Sequence, residues 1–244
     1  MIQGLYSATS CLTAAARQQD VIADNLAHAT VPGFRARGLA FSTYETNGLN
    51  AEPSSPTGQI RGTDSSREFI SFQAGEYQQT GNPLEMAVKG EGFFSLQGPS
   101  GTVYTRNGCF ELGAQGQLQS KSGLVVNGTG GPITVPPGTA RVNVGIDGSV
   151  SADGAPVGQI GVTTFQDPRR LVRVGPTLFD APAGSGPQPS QAAQVLQGYR
   201  EGANVGVIQE MVNLIAGSRY YEAAAKALRT LSDTLQQRTQ PQQG

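Results

Sequence analysis

The C-terminal stretch from Val205 to Gln240 constrains this chain most. Val207, Leu214, Tyr221, Leu228 and Leu235 recur at a step of seven, with Met211, Ala224 and Leu231 between them. From 221 to 235 the series reads 3, 4, 3, 4, the a/d spacing of a helix that buries one narrow stripe against another helix. Gly217 alone interrupts the run, and no proline appears before Pro241. A helix of about 34 residues would be roughly 50 Å long. Such a helix has no core of its own and needs a partner.

The other terminus supplies one. Residues 3 to 29 carry a second heptad-like stripe of Leu5, Ala8, Leu12, Ala15, Ile22, Leu26 and Ala29, broken at Gln19. Its alanines let a second helix approach closely, and Pro32-Gly33 ends it. Two narrow seams at opposite termini favour a terminal helix pair over a surface helix resting on a globular core.

Glycine and proline divide the chain in the same way. The first thirty residues and residues 207–240 each hold one glycine and no proline, whereas residues 76–199 hold 22 glycines and 11 prolines. That middle reads as short strands between turn signals, from Leu84–Val88 and Phe93–Leu96 to Gly158–Phe165 and Leu171–Val174. Asn107-Gly108 and Asp147-Gly148 are expected as two-residue hairpin turns, with Asp153-Gly154 a third candidate. Frequent turns between short strands indicate an antiparallel all-β module rather than a βαβ sheet. Pro182–Pro189 reads as a linker back to the last helix, and residues 36–75 show no sustained period. The expected fold class is therefore α+β. Residues 1–35 and 200–244 form a discontinuous domain of long terminal helices paired in coiled-coil fashion. An extended connector at 36–75, with one short strand near Glu68–Phe72, leads to a central antiparallel all-β domain at 76–199.

The search for chemistry is largely negative. Net charge is −1 with 14% charged residues, and Arg35 and Arg37 read as solvated surface groups rather than a nucleic-acid footprint. No stretch approaches the roughly 18 apolar residues of a membrane-spanning helix. The single histidine, His28, sits at the end of the first helix, where a cation suits the helix C-terminus. Cys11 and Cys109 have no CxxC partner and read as small, wholly or partly buried residues. Gly90-Glu-Gly92 begins like a dinucleotide fingerprint, but Ser95 takes the third glycine's place and no helix follows. No catalytic residue, cofactor or metal site is assigned. Two terminal helices around a β module suit assembly, and an interface between copies that does not close generates a helical tube.

Specific motifs then meet a known family. Val21-Ile-Ala-Asp-Asn-Leu-Ala27 followed by Val31-Pro-Gly-Phe-Arg35 resembles the N-terminal signature of bacterial flagellar rod and hook proteins. Asn82–Phe94 is similar to the family's segment leading into its β domain, and Tyr104-Thr-Arg-Asn-Gly108 to its next hairpin. Gly202-Ala-Asn-Val205, Glu210-Met-Val and Tyr220-Tyr-Glu-Ala resemble its C-terminal helix entry. Asp24, His28 and Val31 depart from the family's usual Asn, Asn and Thr.

The resemblance implies a subunit of the flagellar basal-body rod, the periplasm-crossing tube that carries torque from motor to hook. Its terminal helices would line the tube and form the wall of the export channel, with the β domain outside. Partners would be copies of itself, other rod and hook subunits and, in transit, the type III export apparatus, without a cleaved signal peptide. No nucleic acid, membrane insertion, cofactor or catalysis is implied. Length and the turn motif point to the proximal rod member, then to a distal rod or hook-type subunit. A secreted β-rich adhesin or scaffold and a cell-wall hydrolase are the alternatives from other classes. The assembly candidates are Leu5, Leu12, Ile22, Asn25 and Leu26 on the first helix, and Pro32, Gly33 and Phe34 in its turn. At the second helix and its entry they are Asn204, Val205, Val207, Met211, Leu214, Tyr221, Leu228, Leu231 and Leu235.

Overall fold

The computed structural model describes residues 2–47, 59–190 and 192–239. They fall into two compact units that take the chain in turns. Unit one holds Met1–Ala27, Arg37–Ile70 and Gly206–Gly244, and unit two holds His28–Ala36 and Ser71–Val205.

Unit one is built on α1 (Ile2–Ala27) and α2 (Val207–Thr239). The helices run antiparallel, since Asn25 reaches Glu210 while Gly217 lies opposite Gln19 and Ile22. On α1 the buried positions are Ala14, Ala15, Val21, Ile22 and Asn25, so the step of seven expected from Ala15 to Ile22 is the covered face. Gly217 is buried, and a methyl there would lie 3.5 Å from Gln19 Cγ and 4.0 Å from Ile22 Cδ1. These are ordinary contact distances, so the helices approach closely without needing a glycine.

The stretch expected as an extended connector folds instead as a hairpin of β1 (Arg37–Asn47) and β2 (Gln59–Ile70), antiparallel with an irregularity between Ala40 and Ser42. Among its described side chains alternation does not announce it, since Phe41 and Phe69 remain about half exposed. A lone two-stranded hairpin is marginal in water. This one lies along α1 and is tied to it by Arg37, which pairs with Asp24 at 3.2 Å and with Glu68 on the opposing strand. Arg37 also disposes of the expectation that it is merely solvated. Its guanidinium is held above its ordinary pKa, first by the hydrogen bond to Glu68 and against the opposing effect of burial.

Unit two opens with β3 (Tyr77–Gln79), β4 (Met86–Lys89), β5 (Phe93–Gly98), β6 (Gly101–Thr105), β7 (Phe110–Leu112), β8 (Leu118–Ser120) and β9 (Val125–Gly128). It continues through β10 (Gly131–Pro132), β11 (Val142–Val144), β12 (Ser149–Ala152), β13 (Ala155–Gln159) and β14 (Val162–Phe165). The last strands are β15 (Val172–Arg173), β16 (Leu178–Asp180), β17 (Pro187–Pro189), β18 (Gln194–Gln197) and β19 (Tyr199–Glu201). Every pairing among them is antiparallel. The main sheet runs β15-β16-β6-β5-β9-β8-β7, with β14 beside β5, β17 beside β14 and β10 beside β9. Met86, Phe94, Leu96, Phe110, Val126, Ile133 and Val195 form its core, where the rings of Phe94 and Phe110 meet edge-to-face at 5.1 Å.

The turn chemistry sorts out differently from expectation. Asp153-Gly154 is the two-residue turn with positive φ at both positions (49° and 88°), joining β12 to β13. Asp147-Gly148 does join β11 to β12, through the longer loop Gly145–Gly148 closed by Gly145 N–H to the Ser149 carbonyl. Asn107-Gly108 is no hairpin turn, because β6 pairs with β5 and β16 while β7 pairs with β8. Asn107 Oδ1 instead accepts the Cys109 N–H at 3.1 Å and ends the strand. The expected linker contains β17, a strand with two prolines that sits at the sheet's edge, where missing donors are tolerated.

The signature turn and candidate assembly surfaces

Unit two encloses the turn that follows α1. Beyond Ala27 the chain tightens through Val31 N–H to the His28 carbonyl at 3.0 Å, and Pro32 prevents the helix from continuing. Gly33 has φ +72°, a value that L side chains adopt at a cost, and donates its N–H to the Glu201 carbonyl at 2.8 Å. Phe34 is fully buried; the His28 ring stacks on it at 4.9 Å and the Arg173 guanidinium lies 4.7 Å from its centroid. His28 therefore contributes a flat packing surface just beyond the helix.

Arg35, expected at the surface, is 0% exposed and donates from Nη2 to Glu201 Oε1 at 2.6 Å. Arg106 reaches Glu201 Oε2 at 3.4 Å and also donates from its two terminal nitrogens to the carbonyls of Val88 (3.0 Å) and Gly90 (2.8 Å). Gly75 N–H completes the shell of Glu201 at 3.0 Å. Burial, more than any other cause, pulls the Arg106 guanidinium below its ordinary pKa, and the Arg35 charge pulls the same way. Nearby, burial and then the Glu201 charge push the Tyr77 phenol up; its hydroxyl donates to the Val88 carbonyl at 3.0 Å. Asn204 closes the arrangement. Its Oδ1 accepts the Ala36 N–H at 2.6 Å, and its Nδ2 donates to the carbonyls of Ser71 and Gln73. This is a lock of charge-assisted hydrogen bonds, with no nucleophile or free acid–base pair within it.

In unit one Asn25 plays a matching part. It accepts the Arg37 N–H at 2.8 Å, donates to the Arg37 carbonyl at 2.9 Å and touches Glu210 Oε1 at 3.3 Å. Among the described residues no group of three or more His, Cys, Asp or Glu is placed to hold a metal, and no helix is long and apolar enough to cross a membrane. Cys109 is buried as expected, whereas Cys11 is exposed on α1.

The expected assembly residues thus separate into two sets. Gly33, Phe34 and Asn204 are engaged by their own chain in unit two, with Pro32 and Val205 half-buried beside them. Ile22 and Asn25 are buried in unit one, and Leu12, Leu26, Leu214, Leu228 and Leu231 are half-buried there. Val207, Met211 and Tyr221 stay largely exposed, and the side chains of Leu5 and Leu235 lie outside the described residues. Reading α2 as a single stripe misses a second one: Ile208 is 81% exposed, Ile215 58% and Tyr220 73%, with Met211 and Val212 close behind. Val212, Ile215, Ala216, Arg219, Tyr220 and Ala223 line a shallow groove of about 490 Å³. Its signal is present in the sequence, since 208, 212 and 215 are spaced four and three apart. Arg106 and Glu201 carry no such signal.

Three family models match the chain. A flagella basal body rod protein model covers residues 5–35, a flagellar hook protein FlgE/F/G D1 domain model covers 87–152, and a flagellar basal body rod FlgEFG protein C-terminal model covers 196–240. Over its length the chain is 33% identical to the flagellar basal-body rod protein FlgF of Caulobacter vibrioides, across 93% of both chains. It is 34% identical to FlgF of Mesorhizobium japonicum, across 94% of this chain and 93% of the relative. With the rod protein FlgG of Buchnera aphidicola subsp. Schizaphis graminum it shares 32% identity, across 98% of this chain and all of the relative. The chain belongs to the flagellar basal-body rod protein family. The outer two family matches carry the halves of the lock, Gly33 to Arg35 in the first and Glu201 with Asn204 in the last.

Proposed function

We propose that this chain is a structural subunit of the flagellar basal-body rod, joining copies of itself and other rod and hook subunits in a helical tube that carries torque. The observation that carries the reading is the second apolar stripe of α2, Ile208, Val212, Ile215 and Tyr220, which with Met211 of the first stripe is left open to solvent by its own unit. A contiguous apolar face of this kind is a surface for a neighbour, and helices of adjacent axial subunits are the occupants. In this reading α1 and α2 form a coiled-coil-like pair in the wall of the tube. Stiffness comes from interlocked helices, and no catalysis is required. The subunit reaches its place through the type III export apparatus.

The test is Ile215→Asp beside Leu228→Asp, followed by swimming assays and recovery of detergent-resistant basal bodies. Position 215 is exposed, so its substitution should change the stability of the purified chain by no more than about 0.5 kcal/mol while abolishing incorporation. Leu228→Asp, placing a charge in the half-buried seam, should cost about 2 kcal/mol or more and also block assembly. Normal swimming with Ile215→Asp subunits recovered in basal bodies would sink the proposal.

A further inference from the structure

The residues that arrive last along unit two are the ones that neutralise its interior. Arg35 and Arg106 both point their guanidinium groups at the buried carboxylate of Glu201. With two cations against one anion, Nε of each arginine is left without a hydrogen-bond partner. Arg35 precedes Glu201 by 166 positions and Arg106 precedes it by 95. Both cations therefore wait for their counter-ion while nearly all of the unit is laid down. The same short segment closes much else: β18 pairs with β4, β19 pairs with β3, Val195 enters the core, and Asn204 binds residues 36, 71 and 73.

We infer that Glu201 is a folding latch: unit two reaches no closed state until β19 delivers its carboxylate to Arg35 and Arg106. A buried charge without its partner is strongly unfavourable, whereas replacing the whole group by apolar residues is often neutral. The ion pair thus acts less as added strength than as a condition on when the β module closes. A chain whose last fifth is not yet available stays open along its length, whatever it later assembles into.

Pulse-labelling hydrogen exchange on the refolding full-length chain tests this. Amides of β5, β6 and β9 should gain protection in the same phase as Tyr199–Glu201. In Glu201→Gln that phase should slow by about tenfold or more, with little change in the unfolding rate. Adding Arg35→Met and Arg106→Met to Glu201→Gln removes the cations that need an answer, and should return the phase to within about threefold of the original rate. Should Glu201→Gln fail to fold at all, the triple variant carries the test, and its folding supports the latch. The latch is overturned if β5, β6 and β9 are protected well ahead of β19, or if Glu201→Gln changes the unfolding rate alone. A triple variant that stays unfolded overturns it as well.

Discussion

Replacing Gly33 by alanine should be among the most damaging single-methyl changes available to this chain. The residue sits at φ +72°, where a Cβ costs roughly 1–2 kcal/mol. Space is the larger difficulty. The added carbon would lie 2.5 Å from the Arg106 carbonyl carbon and 2.6 Å from Asn107 Cα, and closer still to Asn107 N. All three are backbone atoms of the strand end that carries Arg106, so relief requires moving the lock itself. Overpacking of this kind costs roughly 1–3 kcal/mol, and disturbing the Gly33 N–H bond to Glu201 adds about 1 kcal/mol. The total of about 3–6 kcal/mol is a large part of the roughly 5–15 kcal/mol that holds a typical domain together. Urea unfolding of the full-length protein, followed by circular dichroism and tyrosine fluorescence, should show the midpoint of unit two falling by about 1–2 M. Gly81 is the control, because it has nearly the same φ, +74°, but no atom within 4 Å of an added Cβ. Gly81→Ala should therefore lose the conformational part alone, roughly 1–2 kcal/mol. If Gly33→Ala loses no more than Gly81→Ala, the close approach of the turn to Asn107 is not what the glycine is there for.

Other outcomes follow from the same contacts. Asn25→Ala strips the partner from both backbone groups of Arg37 and should cost unit one about 2–4 kcal/mol, read as faster exchange of the Arg37 amide and an earlier loss of helical signal. Gly217→Ala should stabilise unit one by up to about 1 kcal/mol, since helix propensity improves and the methyl meets its neighbours at ordinary distances. The pH dependence lies on the alkaline side. Burial first of all raises the Cys109 thiol and the Tyr77 and Tyr104 phenols, so the folded state holds their protons longer than the unfolded chain does. Stability is then complete below the ordinary thiol value of 9.0 and falls as pH rises through it and on past the ordinary phenol value of 10.0. Thermal midpoints should stay flat from neutrality to about 9 and then drop, with Cys109→Ala delaying the onset towards the tyrosine range. A flat profile up to pH 11 would refute the burial of these groups.

Much of the architecture was legible residue by residue. Of the heptad stripe on α2, Leu214, Leu228 and Leu231 are half-buried while Val207 and Tyr221 stay exposed, and on α1 Ala15 and Ile22 are buried. Asp153-Gly154 announced its turn because positive φ is a demand on the residue in place. The hairpin of β1 and β2 gives no alternation signal where its side chains are described, since Phe41 and Phe69 stay about half exposed. The second stripe of α2 was visible as Ile208, Val212 and Ile215, but one narrow seam already accounted for the helix.

Periodicity, capping and turn preference act over a few residues, so a chain states them openly. They were enough to specify two terminal helices, an antiparallel β module and the motifs shared with rod proteins. The fate of Arg35 was of another kind. In the sequence it is one more charge after a Pro-Gly-Phe turn, and charges at such places are usually solvated. Its burial follows from Glu201, 166 positions away, brought beside it when β19 pairs with β3. Long-range strand pairing chooses such partners by the shape of the closed sheet, and no local preference encodes that choice.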